Sequence, residues 1–186
     1  RTRRFGRAQE KIRLLAEEVS RCVAMGGQSL VFVHSRRRAE SLSAYLKEVG
    51  IAAEHHHAGL TSEKRLSVET LYRSCKIAVL ISTGTLEMGV NLPARQVVLF
   101  DLQTFDGRDF VPISVNSVWQ RAGRAGRRGL DDHGEVVLIA PKWDRSHEKY
   151  EKGKFEPIRS SMGAPRALSE QILAEHGELA RYVLGE

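Results

Sequence analysis

Two hydrophobic rhythms alternate along this chain. Short unbroken apolar runs at Ser29–Val33, Ile77–Ile81, Gln96–Asp101 and Gly134–Ala140 have the length of strands buried on both faces. Between them, apolar residues return at helical spacing. Ile12, Leu15, Val19 and Val23 predict a helix over Ala8–Met25, stopped by Gly26-Gly27. Ala39, Leu42, Leu46 and Val49 form the inward stripe of a second helix, Arg37–Val49, with Gly50 as its stop. Ile51–Glu54 reads as a short strand leading into His55-His56-His57-Ala58-Gly59-Leu60, and Thr61–Ser74 as a third helix. Thr83–Met88 makes a turn or short helix, residues 103–111 an excursion, and Ser114–Arg127 a helix with Ser114 as N-cap and Gly129 as stop. This alternation predicts an α/β fold, a parallel β-sheet with helices on both faces.

The ends read differently. Arg1–Arg7 carries four arginines around Phe5 and Gly6 and reads as an incoming linker. After Pro141 comes a charged stretch, then a segment with two prolines and Gly163, then a fresh helical pattern over Ala167–Leu184. The expected division is a domain over 1–154, then a linker and the start of a following domain over 155–186. The start at Arg1 rather than Met reads as a cut from a longer chain.

Composition narrows the classes. Hydrophobic residues at 41% and charged residues at 28% suit a globular protein with a sizeable core. The net charge of +6 favours a polyanionic partner. The longest apolar runs, such as Val97–Phe100 and Val136–Ala140, are too short to span a bilayer, so no membrane partner is expected. Cys22 and Cys75 show no metal spacing and read as reduced thiols, which points to the cytoplasm, or to nucleoid or nucleus if the target is DNA.

The densest chemistry lies in Val118-Trp119-Gln120-Arg121-Ala122-Gly123-Arg124-Ala125-Gly126-Arg127-Arg128. On a helical wheel, Gln120, Arg124 and Arg127 share a narrow outward arc, Val115, Val118, Ala122 and Ala125 the opposite face, and Arg121 and Arg128 a third direction. A glycine inside a helix costs about 0.5–1 kcal/mol relative to alanine, so Gly123 and Gly126 ask for a reason. A missing side chain there lets a backbone or a bulky anion approach the arginines, whose planar forks meet phosphate oxygens in pairs. The alternative is a solvated basic face.

Other polar groups gather at strand exits, where open parallel sheets bind ligands. His34-Ser35-Arg36 follows the first strand; Ser35 and the helix start can hold an anion, or simply form a cap. Three consecutive histidines cannot all face one ion on an extended chain, so no metal site is expected at His55–His57. Thr83-Gly84-Thr85 suits a phosphodiester contact or an ordinary capped turn. Asp106-Gly107 between Phe105 and Phe110 signals a hairpin, its rings either a wedge against a terminal base pair or packed on the core.

Gln120 to Arg127 resembles motif VI of superfamily-2 helicases, found in the second of their two RecA-like domains. The run Gly89-Val90-Asn91-Leu92-Pro93-Ala94, the hairpin, and Gly123-Arg124-Ala125-Gly126-Arg127-Arg128-Gly129-Leu130-Asp131-Asp132-His133-Gly134 are similar to the superkiller-like branch, which holds archaeal repair helicases and exosome-associated RNA helicases. The likeness covers about Ser29–Ala140 and is weaker over Phe155–Leu173, where that branch begins a winged-helix domain. It implies that Arg124 and Arg127 are arginine fingers for ATP, with Gln120 beside them and Gly89, Asn91 and Gly123 near the nucleotide. It also implies that Ser35, Arg36, His57, Gly59, Thr83, Gly84 and Thr85 touch one nucleic-acid strand, and that Phe105 and Phe110 belong to a strand-separating hairpin. Glu87 stands where the family has a small residue, and Arg121 where this branch often has Met. The chain carries neither a Gly-x-x-x-x-Gly-Lys-Ser/Thr loop nor an Asp-Glu metal box, so ATP and Mg2+ would be held mainly by a first RecA-like domain, and this chain alone should be inactive. A translocase that does not part strands, and a non-catalytic nucleic-acid-binding module, are the other functions open to such a sequence.

Overall fold

The computed structural model describes residues 2–84, 92–127, 129–131 and 133–139. The elements in chain order are α1 (Thr2–Ala24), β1 (Ser29–Phe32), α2 (Arg36–Glu48), β2 (Ala53–His56), α3 (Ser62–Arg73), β3 (Val79–Ser82), β4 (Gln96–Leu99), β5 (Gln103–Phe105), β6 (Phe110–Pro112), α4 (Val115–Ala122) and β7 (Glu135–Leu138). Five strands form one parallel sheet in the order β2-β3-β1-β4-β7, and β5 and β6 make a separate antiparallel hairpin.

Period-two alternation along the buried strands divides the core in two. Leu30, Phe32, Leu80, Val97, Leu99, Val136 and Leu138 face α3 and α4, packing with Val68, Tyr72, Val118 and Ala122. Val31, Val79, Ile81, Val98 and Val137 face α1 and α2, packing with Leu15, Val19, Ala39, Leu42 and Leu46. Each fully buried large side chain contributes about 1.5–3 kcal/mol against solvent, so strands only four residues long are held by both faces at once.

The expected parallel α/β sandwich is therefore present, with local differences. α1 runs back through the expected linker to Thr2: arginine is a good helix former and no proline interrupts. β2 sits two residues later than expected because its register is set by β3, Ala53 opposite Val79 and His56 opposite Ser82. Val49 is 49% exposed, since it is the C-cap of α2 rather than part of its inward stripe. The largest departure is α4, which ends at Ala122 with Gly123 as C-cap, so Arg124 and Arg127 lie beyond the helix. The expected boundary near 155–166 and the C-terminal helix lie outside the described residues.

Candidate functional site

Connections leave β1 and β4 in opposite directions: β1 leads to β2 on one side of the sheet, and β4 leads to β7 on the other. Such a switch point opens a crevice at the carboxyl ends of the strands. His34, just past β1, and Asp101, just past β4, meet across it. The Asp101 carboxylate accepts from the His34 backbone N–H at 3.0 Å and lies 2.7 Å from its Nδ1, while Arg38 donates to the other oxygen at 3.0 Å. Burial pushes the Asp101 carboxyl up, but the His34 hydrogen bond and the charges of Arg38 and Lys11 outweigh it and hold the group below the usual carboxylate range.

Three exits line this edge. Ser35 caps α2, its hydroxyl accepting from the Arg38 N–H at 3.3 Å. Arg36 lies over Gly59, where an added Cβ would come within 3.1 Å of both the Arg36 guanidinium and His57 Nδ1. His57 is buried, accepting from the Gly59 N–H at 3.2 Å through Nδ1 and lying 3.0 Å from Glu40 Oε1 through Nε2. Thr83 hydrogen-bonds through its N–H to the His56 carbonyl at 3.3 Å, which ties the third exit to the second. Ser35, Arg36, His57, Gly59, Thr83 and Gly84 thus gather at one edge of the sheet. Thr85, Gly89 and Asn91 lie outside the described residues.

The histidine run is more ordered than the sequence suggests. Alternate residues of an extended chain share a face, so His55 and His57 stack with centroids 5.4 Å apart, and their ligand atoms lie with that of Glu40 within 4.8 Å of one another. An extended chain keeps three consecutive histidines from one ion, but it brings this alternate pair together. The Gly59 N–H directed at Nδ1 places the His57 ring proton on Nε2, where it donates to Glu40, so hydrogen bonding accounts for the cluster. His56 points the other way, 3.1 Å from Glu69. Burial lowers its pKa, with the Glu69 hydrogen bond opposing.

The hairpin stands beside this edge. Phe105 and Phe110 pair across it, 55% and 53% exposed, with ring centroids 5.6 Å apart. They are not core residues. Phe110 also meets His34 edge-on at 4.9 Å. Asp106 Oδ1 accepts from the Arg108 and Asp109 N–H groups and closes the tip.

Arg124 and Arg127 lie at the opposite, amino-terminal edge. Past α4 the chain forms a parallel bridge, Ala125 opposite Ala94, just before β4: Ala94 N–H donates to the Arg124 carbonyl at 2.9 Å, and Gly126 N–H to the Ala94 carbonyl at 2.7 Å. Gly126 takes φ 88°, a left-handed conformation that glycine adopts without strain. The two glycines therefore end a helix and admit a neighbouring backbone, which replaces the expected helical blade of Gln120, Arg124 and Arg127. Gln120 is exposed on α4 and Arg124 is half-buried.

Arg127 is held by a buried carboxylate. Its Nε and Nη2 donate to Asp131 at 2.8 Å each, its backbone N–H donates to the same group at 2.9 Å, and Nη1 donates to Gln28 Oε1 at 3.2 Å. Those bonds use three of the five guanidinium N–H donors. The Asp131 hydrogen bond raises the Arg127 pKa. Burial pushes Asp131 up, and the Arg127 hydrogen bonds outweigh it to leave that carboxyl lowered. Gln28 is anchored in turn, donating to the Tyr72 and Ile77 carbonyls at 2.7 and 2.9 Å. Sequence reasoning missed Gln28 and Asp131; the Asp four places after Arg127 was the available signal. Arg121, placed with Arg128 in a third helical direction, is buried, its guanidinium 5.1 Å from the Phe32 ring centre. Arg128 lies outside the described residues.

A parallel sheet with these two edges is a RecA-like domain. The family model described as "Helicase conserved C-terminal domain" matches residues 10–129, and the chain belongs to that family, in the superkiller-like branch of superfamily 2. It is 34% identical to the ATP-dependent DNA helicase Hel308 of Aeropyrum pernix over 198 residues, which cover 83% of this chain and 27% of that protein. It is 39% identical to activating signal cointegrator 1 complex subunit 3 of Bos taurus over 122 residues, 64% of this chain and 6% of that one. The chain thus spans about a quarter of the length of the Hel308 relatives it matches. Among solved structures, the DEAD box protein of Methanococcus jannaschii shares the fold with TM-score 0.62 at 23% identity, covering 77% of this chain and 36% of that one. S. cerevisiae Dbp5 bound to RNA and ADP BeF3 does so with TM-score 0.60 at 24% identity, covering 81% and 37%. Among the described residues no helix is long and apolar enough to cross a membrane.

Proposed function

We propose that this chain is the second motor domain of an ATP-dependent nucleic-acid helicase, gripping a strand at one edge of its sheet and lending arginines to ATP at the other. The observation that carries this reading is the span from Thr83 to Ala94. Its first residue is bonded to His56 at the carboxyl edge, and its last is clamped to Arg124 and Gly126 at the amino edge.

At the carboxyl edge, Ser35, Arg36, Thr83, Gly84 and Thr85 offer hydroxyls, N–H groups and one guanidinium to a phosphodiester backbone. Buried His57 serves that edge by fixing Gly59 rather than by touching the strand. At the amino edge, Arg124 and Arg127 point charge toward phosphates held mainly, with Mg2+, by a first RecA-like domain, and Gln120, Gly89, Asn91 and Gly123 border the same nucleotide. ATP supplies the phosphoryl transfer when bound. Arg127 suits the finger role because Asp131 and Gln28 fix its plane while two N–H donors stay uncommitted to them.

The test is ATP hydrolysis by the full-length protein. Arg124→Ala and Arg127→Ala should each slow turnover by about 10³-fold or more while ATP binding changes far less. Near-normal turnover in both would overturn the finger assignment. A translocase that moves without parting strands is the second reading, favoured by hairpin arms of three residues each. If the hairpin parts strands, replacing both Phe105 and Phe110 by Ala abolishes unwinding and leaves strand-stimulated ATPase intact. Unwinding that survives both changes excludes a wedge role for the rings.

A further inference from the structure

The hairpin is a weak element attached to a strong one. Its arms, β5 and β6, are three residues each and form a two-stranded sheet of their own, which is marginal without support from the body of the domain. Its foot is secure: Leu102 and Ile113 are buried in the core, and the Ile113 N–H donates to the Leu102 carbonyl at 3.0 Å. Further out the two rings are about half exposed, and Phe110 meets the body at His34, with ring planes at 82°. Aromatic pairs prefer this edge-to-face geometry.

His34 can support another ring because its own ring is fixed. It lies just past β1, with its side chain 17% exposed. Asp101 Oδ2 accepts from both the His34 backbone N–H and Nδ1, so one carboxylate oxygen sets backbone and ring together. A carboxylate only accepts, so the ring proton sits on Nδ1, and the ring cannot flip without losing that bond. The other oxygen takes Arg38 Nη1, and the Arg38 guanidinium lies 5.6 Å from the Phe100 ring centre. A line of contacts therefore runs from α2 through Asp101 and His34 to Phe110, and on to Phe105. His34 also directly precedes Ser35 and Arg36, so one strand exit carries both the hairpin's support and the strand-gripping groups.

We propose that His34, held by Asp101, is a positioning residue for the hairpin: it sets where the Phe110 ring stands beside the exit of β1. The consequence for strand parting rests on the hairpin reading given above, whereas the placement of the ring does not.

The experiment compares full-length wild type, His34→Ala and Asp101→Asn by hydrogen exchange over residues 103–113 and by base pairs unwound per ATP hydrolysed. In Asp101→Asn the amide must turn its NH2 toward either His34 or Arg38, both of them donors, so the support loosens. Hairpin exchange should rise about 2- to 10-fold in both variants, the weight of one edge-to-face contact. The unwinding ratio should fall by a similar factor. A fold that is merely weakened lowers hydrolysis and unwinding together and leaves the ratio alone. On a Phe110→Ala background, His34→Ala should add less than about 2-fold to either readout, because the two act through one contact. If a variant fails to fold, His34→Gln serves in its place, since it can donate to Asp101 but gives Phe110 no ring.

Unchanged hairpin exchange in these variants, or a full effect of His34→Ala without the Phe110 ring, overturns the positioning role. So does an unchanged ratio where the Phe105 and Phe110 rings prove essential to unwinding. If exchange rises while the ratio holds, and removing both rings also leaves unwinding intact, the positioning role stands and the strand-parting reading falls.

Discussion

At the carboxyl edge of the sheet, polar bonds are spread over many groups, near and far in sequence: Ser35 with Arg38, His57 with Gly59 and Glu40, Asp106 with Arg108 and Asp109, and Asp101 with His34, 67 positions away. At the amino edge the central guanidinium is fixed partly by Gln28, a residue 99 positions away, which is itself tied to the carbonyls of Tyr72 and Ile77. Even the turn that ends α3 contributes. Cys75 takes φ 56°, in the region glycine prefers, and its thiol reaches Gln28 Oε1 at 3.4 Å. Under the proposed function, the contrast separates two demands. A surface that follows a moving strand needs many modest contacts that make and break, whereas a charge aimed at a transferring phosphoryl group needs one direction held firmly.

The comparison breaks first at Asp131. Its side chain is 2% exposed and that of Arg127 14%, so Asp131→Ala leaves a largely buried cation without its carboxylate. A loss of about 2–3 kcal/mol in unfolding free energy is expected at neutral pH. A loss under about 0.5 kcal/mol in chemical denaturation would show that the amino edge is no more rigid than an ordinary surface pair.

Acid should act in two stages. Burial lowers the His56 pKa, so the unfolded chain takes up that proton first, and stability falls as pH drops below about 6.5. Asp131 and Asp101 are also lowered, and their contribution is present above about pH 4 and lost as pH falls through their folded values. His56→Gln should reduce the first stage, to which His55 also contributes because burial lowers its pKa too, and leave the second. A first stage unchanged in that variant, followed by thermal melts from pH 7 to 5, would remove His56 as its source.

The smallest expected effect belongs to the carboxyl edge. Gly59→Ala crowds Arg36 and His57 at 3.1 Å, and the Arg36 side chain can swing aside. Stability should change by about 1 kcal/mol or less, while strand affinity falls a few-fold. A large stability loss with intact affinity would move Gly59 from the binding edge to the fold.

Periodicity shows most of this fold because the strands are buried on both faces and the helices on one. Helix ends set by long-range pairing leave no such trace. Ser114 capped α4 as its sequence suggests, but its end depends on Ala94 drawing Ala125 and Gly126 into backbone pairing, which no window around Gly123 contains. The placement of β2 followed from β3 in the same way. At the amino edge the sequence shows the arginines and not the Gln28 that orients one of them. The burial of Arg121 leaves no trace in the sequence either, because a guanidinium over Phe32 is a contact between α4 and β1.

The clamp on Ala94 also gives the chain a fixed dimension. The Ala94 N–H and carbonyl are both taken by the segment after α4, two residues before β4 begins, so Gly126 is fixed relative to the sheet. An extra residue between Ala94 and Gln96 would carry that segment, and Arg127 with it, out of step with β4. A substitution at Ala94 leaves both backbone bonds in place.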